Sequence, residues 1–456
     1  MEGLSALQHV EKTMENGGTV LVLDTGAVVG PPAQAMLAAL HSRSIGGIKS
    51  HLEVLNKRGP AGFMKTYFVE YGHKSIGDLG SLTIFIEGVS MLAAKAIQDS
   101  RLYNGQEAST RYIDFSQQPF IDPVNMKATQ TLLEKQRTFY LEGLEVLKPF
   151  LAEKFPLTVE GKERAHQKAL EARAFDIMRA FLPAGASTNL AWHGPIRVLG
   201  DRLPELRNHP LEEVRSIAKT LHEALYAAFP ESFPEPGKIY EDTEAYVGSY
   251  MRDSYYYDNP GLPTFKAPVC GIDIENIPPE VRKILSTRPN GKTELPKWLE
   301  ELGQIQYEFL LDFGSFRDVQ RHRAVIQRMP LLTTGHGFEP WYFDQMPEEL
   351  AEQARAYLKK LEGSLEDLAV SPEVLQYFIP MGYRCANRIT GGLPALVYLV
   401  ELRAQTTVHS TLRIRAQQMG EYLGLTFGET LALFYDNSED QFDIRRGEQD
   451  IIVKEQ

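Results

Sequence analysis

The sequence predicts a mixed α/β fold built as two repeated halves. Three observations carry this expectation. Short runs rich in β-branched residues alternate with amphipathic helical segments. Two apolar motifs, each followed by Glu-Leu-Arg, recur in the same order. A polar, Pro-rich stretch from Pro230 to Lys238 separates the two occurrences and reads as a linker.

Each element has a local reason. Thr19 to Asp24 (TVLVLD) is β-branched and reads as a strand. The following PPAQAMLAALHS reads as a helix, because Pro is tolerated in the first turn. Ser81 to Ser90 (SLTIFIEGVS) reads as a strand and MLAAKAIQDSRL as the helix after it. Long amphipathic helices are expected from Ala128 and over Leu211 to Phe229. The first half carries FLPAG at Phe181 to Gly185 and ELR at Glu205 to Arg207. The second carries FIPMG at Phe378 to Gly382 and ELR at Glu401 to Arg403. Upstream of each, an apolar run leads into an Arg-bearing helix, IFIEGVSMLAAKAIQDSR and FLLDFGSFRDVQRHR. The expected halves are residues 1–235 and 236–456.

Composition narrows the function classes. The chain has 456 residues, 43% hydrophobic and 24% charged, which is ample for a buried core. Its net charge of -12 repels phosphate backbones, so nucleic acid is not the expected partner. A small anion in a local basic pocket remains compatible. The two cysteines, Cys270 and Cys385, form no CxxC, so neither a zinc site nor a disulfide framework is expected. No apolar run reaches the roughly 20 residues that cross a bilayer, and the N-terminus does not read as a signal peptide. The expectation is a cytoplasmic protein with no membrane partner.

Two motifs concentrate chemistry. Phe316 to Arg328 (FRDVQRHRAVIQR) holds Arg317, Arg321, Arg323 and Arg328 with His322, the densest cationic run in an acidic chain. It reads either as a solvated helix face or as an anion site, because planar guanidinium binds phosphate bidentately. The second motif is QEASTRY. Glu107, Ser109 and Arg111 alternate, so an extended segment would place them on one face. That face reads either as a surface strand with a Glu-Arg pair or as a grip on a polar ligand such as a nucleotide.

These residues resemble the flavin-dependent thymidylate synthases (ThyX). The family signature is RHR, two residues, Ser, one residue, Asn-Glu, one residue, Ser, one residue, Arg-Tyr. Asp99 to Tyr112 fits that frame without a gap. Arg101, Glu107, Ser109, Arg111 and Tyr112 match; Asp99 and Ser100 replace the first Arg and the His, Asn104 replaces Ser, and Gln106 replaces Asn. His73 and Ser75 match the family's HxSxxEH, with Asp78 in place of Glu. Arg179 matches its ARxxLP, and Arg207 a later catalytic Arg with one residue inserted. The second half resembles the family more faintly. It keeps Arg321, His322, Arg323 and Arg403, but MPLLTT stands where Glu, Ser and Arg-Tyr belong, and Gln376 replaces the Arg of ARxxLP.

The resemblance implies two ThyX-like repeats, each a mostly antiparallel sheet with packed helices, forming a pseudo-dimer. It implies methyl transfer to C5 of a uridine nucleotide, dUMP above all. Methylenetetrahydrofolate would be the carbon donor, FAD the cofactor and NADPH the reductant. Arg403, Arg207 and His73 would be catalytic. Arg321, His322, Arg323, Glu107 and Ser75 would hold the flavin, and Glu107, Ser109, Arg111, Tyr112 and Arg179 the nucleotide. No metal is implied. Family sites form between subunits of a homotetramer, so a homodimer of this chain would mimic that assembly. One competent site type is expected, from Arg321 to Arg323 of the second half against Glu107 to Arg111 of the first. The reciprocal site, built from Asp99, Ser100 and Leu331, would be dead. The alternatives are a non-catalytic nucleotide-binding or scaffold protein of the same fold, and a flavoenzyme acting on another nucleotide.

Overall fold

The computed structural model describes residues 9–13, 19–23, 29–43, 48–70, 74–108, 110, 113–158, 160–238, 241–290 and 293–447. The first stretch runs β1 (His9–Thr13), β2 (Thr19–Leu23), α1 (Pro31–Arg43), α2 (Ile48–Arg58) and a short α3 (Ala61–Phe63) that continues as a π-helical turn. Then come β3 (Ser81–Ser90), α4 (Met91–Gln98), β4 (Asn104–Glu107), α5 (Lys127–Lys154), α6 (Glu163–Met178), β5 (Ser187–Pro195), α7 (Ile196–Arg207) and α8 (Glu212–Ala228). After the expected linker, which is irregular, lie α9 (Glu241–Tyr255), β6 (Val269–Cys270) and α10 (Pro279–Ser286). The remainder is β7 (Ile305–Asp312), α11 (Phe313–Val319), β8 (Ile326–Arg328), α12 (Trp341–Asp344), α13 (Glu348–Glu366), α14 (Pro372–Leu375), β9 (Arg384–Gly391), α15 (Leu393–Arg403) and α16 (Ser410–Phe427).

The chain forms two compact units, each drawn from separated stretches. The first holds Met1–Glu87, Leu102–Glu107 and Asn189–Arg252. Within it β1 and β2 pair antiparallel, and α1 with the preceding Val29 packs on α2 through Met36, Leu52 and Leu55. β4 pairs antiparallel with β5, from Asn104 opposite His193 to Glu107 opposite Leu190. Gly105 is required there, because a Cβ would lie 2.0 Å from the Ala191 carbonyl oxygen. That same carbonyl accepts the Tyr103 hydroxyl at 2.8 Å.

The second unit holds Gly88–Arg101, Ala108–Thr188 and Asp253–Gln456, and so takes in elements from both sequence halves. Its sheet has the order β6-β7-β9-β8, with the described pairs antiparallel. β7 is buried on both faces over most of its length, which explains its continuous apolar sequence FLL. Both helices that follow a leading strand start on a side-chain cap. Ser90 accepts from the Ala93 amide at 3.0 Å for α4, and Asp312 from the Ser315 amide at 2.9 Å for α11.

The two apolar motifs meet each other in this unit. The Ala184 amide donates to the Ile379 carbonyl, and the Met381 amide to the Leu182 carbonyl, both at 2.9 Å. The Gly185 amide donates to Tyr377 at 3.0 Å and the Gly382 amide to Ala180 at 2.8 Å. Pro183 bridges Pro380 at the middle. Position i meets j, and the counterpart of i meets the counterpart of j, which is the pattern of a two-fold contact. The surroundings repeat as well. Ile121 donates to Gly185 as Glu339 donates to Gly382, and Met91 to Ala186 as Phe313 to Tyr383. The register repeats too: Asn104 faces His193 as Ile326 faces Thr390, and Gln106 faces Ala191 as Arg328 faces Arg388.

Gly185 has no room for a side chain at this contact. A Cβ would sit 2.6 Å from the Tyr377 carbonyl oxygen and 2.9 Å from that of Ile121, both backbone atoms. Gly185→Ala is expected to destabilise the fold by about 1–3 kcal/mol, the usual cost of overpacking. Urea unfolding checks this, and an unchanged midpoint would contradict it.

Candidate functional site

The cationic motif of the second half is split between α11 and the turn that ends it. The His322 amide donates to the Val319 carbonyl at 3.0 Å, which closes the turn. Gln327 Nε2 donates to the carbonyls of Val319 and His322, each at 2.9 Å. Arg101 Nε donates to the Arg323 carbonyl at 3.2 Å, so a residue of the first half braces this turn. With its backbone held, the turn leaves Arg321 and Arg323 exposed and buries His322.

Arg403, at the last turn of α15, reaches this turn. Its Nε donates to His322 Nε2 at 2.7 Å and its Nη2 to the Asp318 carbonyl at 2.6 Å. A donor on Nε2 requires that nitrogen to be an acceptor, so His322 carries its proton on Nδ1. Burial first, and the Arg403 charge second, push His322 down to about 3. His322 is therefore neutral near pH 7 and acts as an acceptor that fixes the plane of Arg403.

Arg179 comes from the first half, in the 3-10 turn after α6. It is 8% exposed, and its Nε and Nη2 are buried without a protein acceptor. Burial alone would lower its pKa. Asp176, Tyr342, Asp318 and Asp312 outweigh that and hold the guanidinium charged. Asp318 is the shared counter-charge. Burial pushes its carboxyl up, but Arg179, Arg403, Arg321 and Arg317 together pull it below the ordinary carboxylate range. One carboxylate thus balances Arg179 of the first half and Arg321 and Arg403 of the second. Asp318 lies inside the motif FRDVQRHR, but the run of Arg hid its role; Asp312 and Tyr342 carried no sequence signal.

Arg207, Glu107 and Ser75 lie in the first unit. Arg207 forms an ion pair with Glu244, unlike its counterpart Arg403. Glu107 ends β4 and is 7% exposed, whereas Ser75 is exposed in a 3-10 turn. His73, Ser109, Arg111 and Tyr112 lie outside the described residues. In the second half Gln376, which stands where the first half has Arg179, accepts the Leu332 amide at 2.9 Å. Of the other described histidines, His409 caps α16 and His209 accepts from the Leu211 amide. Among the described residues no helix is long and apolar enough to cross a membrane, and no cluster has the make-up of a metal site.

The arrangement is a set of oriented guanidiniums around one carboxylate, in a fold of antiparallel sheets and packed helices. Residues 31–231 match the family model described as "Thymidylate synthase complementing protein". Over longer stretches it is similar to proteins named UPF0159. One from Chlamydia pneumoniae is 26% identical over 411 residues, covering 77% of this chain and 76% of the relative. One from Thermoplasma acidophilum is 24% identical over 432 residues, covering 80% and 86%. Among solved structures, the chain is similar to a flavin-dependent thymidylate synthase ThyX from Helicobacter pylori complexed with FAD and dUMP. The identity is 20%, over 45% of this chain and 95% of that one, with a TM-score of 0.26.

The state of His322 has a measurable consequence. Its folded pKa lies below the ordinary 6.5, so the unfolded chain takes up the proton first. Its contribution to stability is complete above pH 6.5 and drains as pH falls towards 3, by about 1.4 kcal/mol per pH unit. Between pH 7 and pH 5 the native chain is expected to lose about 2 kcal/mol more than His322→Gln, which keeps an acceptor and does not titrate. Urea unfolding at the two pH values measures this, and equal losses would contradict it.

Proposed function

We propose that the chain is a flavin-dependent methyltransferase of the thymidylate synthase type. It transfers a one-carbon unit from methylenetetrahydrofolate to C5 of a uridine nucleotide, dUMP above all, with NADPH as reductant. The observation that carries this reading is Arg179, a charged and buried guanidinium with two N–H groups lacking an acceptor. Leaving such donors empty costs about 1–3 kcal/mol, which favours an anionic partner for this guanidinium. A nucleotide phosphate has the charge and the oxygens required.

The donor set also fits a phosphate-bearing flavin, since Arg321 and Arg323 are exposed and cationic beside the buried His322. Arg321, His322 and Arg323, with Glu107 and Ser75, are the residues assigned to it. FAD, when bound, supplies the hydride chemistry that protein side chains lack. The remaining work belongs to the chain. Arg403, held in plane by His322 and the Asp318 carbonyl, is the residue we assign to stabilise negative charge growing on the pyrimidine. Arg179, with Ser109, Arg111, Tyr112 and Glu107, holds the nucleotide, and His73 and Arg207 complete the catalytic set.

On this reading the chain is a duplicated and diverged pair, residues 1–235 and 236–456, acting as a cytoplasmic homodimer. The reciprocal contacts at Pro183 and Pro380 support the duplication. A non-catalytic nucleotide-binding protein of this fold is the second reading. It is favoured by Arg207, whose guanidinium is tied to Glu244. A flavoenzyme acting on another uridine nucleotide is a variant of the first.

Purified protein is expected to be yellow, with the spectrum of oxidised FAD; a colourless protein that fails to take up added FAD would favour the non-catalytic reading. Arg179→Ala is expected to weaken dUMP binding about tenfold or more, from the loss of a charge-assisted bond worth about 1.5–3 kcal/mol. Calorimetric titration measures this, and an unchanged affinity would remove the observation on which the reading rests.

A further inference from the structure

The reciprocal site is not an open remnant. Its positions follow from the repeated register: Asp99 and Ser100 at the turn, Leu331 opposite the signature Ser, and Gln376 opposite Arg179. All lie in the second unit. One short aromatic stretch, Asp253 to Asp258, engages Asp99 and Leu331 of this set and reaches Glu373 near Gln376.

The engagement is specific. Tyr255 is 8% exposed; its carbonyl accepts the Leu331 amide at 3.1 Å, and its hydroxyl donates to Asp99 Oδ2 at 3.1 Å. Lys95 Nζ, 2.6 Å from Asp99, also lies 4.8 Å from the Tyr255 ring centre. The Tyr256 hydroxyl bonds Glu373, three residues before Gln376. The Tyr257 ring lies beside two guanidiniums, 4.1 Å from Arg328 and 5.5 Å from Arg388. Asp258 pairs with His336 at 2.8 Å. The Gln376 side chain closes on the Leu332 amide from the other side.

An aromatic ring stacked against guanidinium, with carboxylate and amide contacts around it, is the set of interactions a planar heteroaromatic ligand would make. We infer that residues 253–258 are a built-in occupant of the reciprocal site, so that each chain offers one nucleotide site and not two. This rests on the two-copy reading proposed above. It goes beyond the loss of signature residues, because a decayed pocket could still admit a nucleotide weakly, whereas a filled one cannot. It also gives the aromatic run Ser254 to Asp258 a role, namely closing a site of its own chain.

Two measurements test this separately from the proposed activity. The first is labelling by the arginine reagent phenylglyoxal, read by peptide mapping. Tyr257→Ala is expected to speed labelling of Arg328 about fivefold, the factor for one lost cation–π contact. Tyr257→Phe keeps the ring and should label at the native rate, which separates exposure from general unfolding. Equal rates in all three proteins would overturn the inference. The second is equilibrium dialysis of dUMP against the full chain. One nucleotide per chain supports the inference and two would overturn it. No binding at all would instead count against the proposed function, and the labelling result would then decide the inference alone.

Discussion

The structure of the second unit depends on four backbone hydrogen bonds between residues 180–185 and 377–382. They are made by amides and carbonyls, yet they depend on sequence, because Gly185 and Gly382 admit no Cβ and Pro183 and Pro380 offer no competing donor. Each such bond contributes only about 0.5–1.5 kcal/mol net. Their importance is geometric. They bring the end of α6, with Arg179, and the start of β9 to one place, and everything charged in the site is positioned from there. Aromatic rings pack around the contact, with the buried Phe181 4.9 Å from Phe338 and 5.0 Å from Phe139.

Electrostatics then sorts the arginines. A cluster of guanidiniums around a buried region is unstable unless a carboxylate sits among them, and Asp318 fills that place for Arg179, Arg321, Arg403 and Arg317. Because that carboxylate is shared, it leaves the Nε and Nη2 of Arg179 without an acceptor. His322 adds a neutral acceptor, whereas a protonated imidazole would offer none and would repel Arg403. The same residue type has a different fate in the first unit, where Glu244 pairs with Arg207 directly. Equivalent arginines therefore diverge through their partners, not through their own position in the motif.

Divergence between the halves follows the same logic. Asp99 stands where the signature has Arg, and it accepts from Lys95, Gln320 and Tyr255. Arg101, which keeps its identity, holds the Arg323 carbonyl. The turn at Asp99 to Arg101 thus braces the turn at Arg321 to Arg323. Residues of this kind look like decay in an aligned motif, yet their contacts are well formed.

The alternating strands and helices, the recurrence of FLPAG and FIPMG, and the split of the signature between halves were all legible in the sequence. They are local patterns: side-chain period, Gly and Pro placement, and motif spacing follow from a few neighbouring residues. The counter-charge of Asp318, the neutral state of His322 and the pairing of Arg207 with Glu244 were not legible. Each joins residues far apart in the chain, and burial rather than residue type sets its energy. The sequence by itself determined two clusters of residues suited to an anion and one pair of recurring motifs. Only the tertiary structure decided which of those residues keep donors to spare, because that depends on which carboxylates the fold brings within reach.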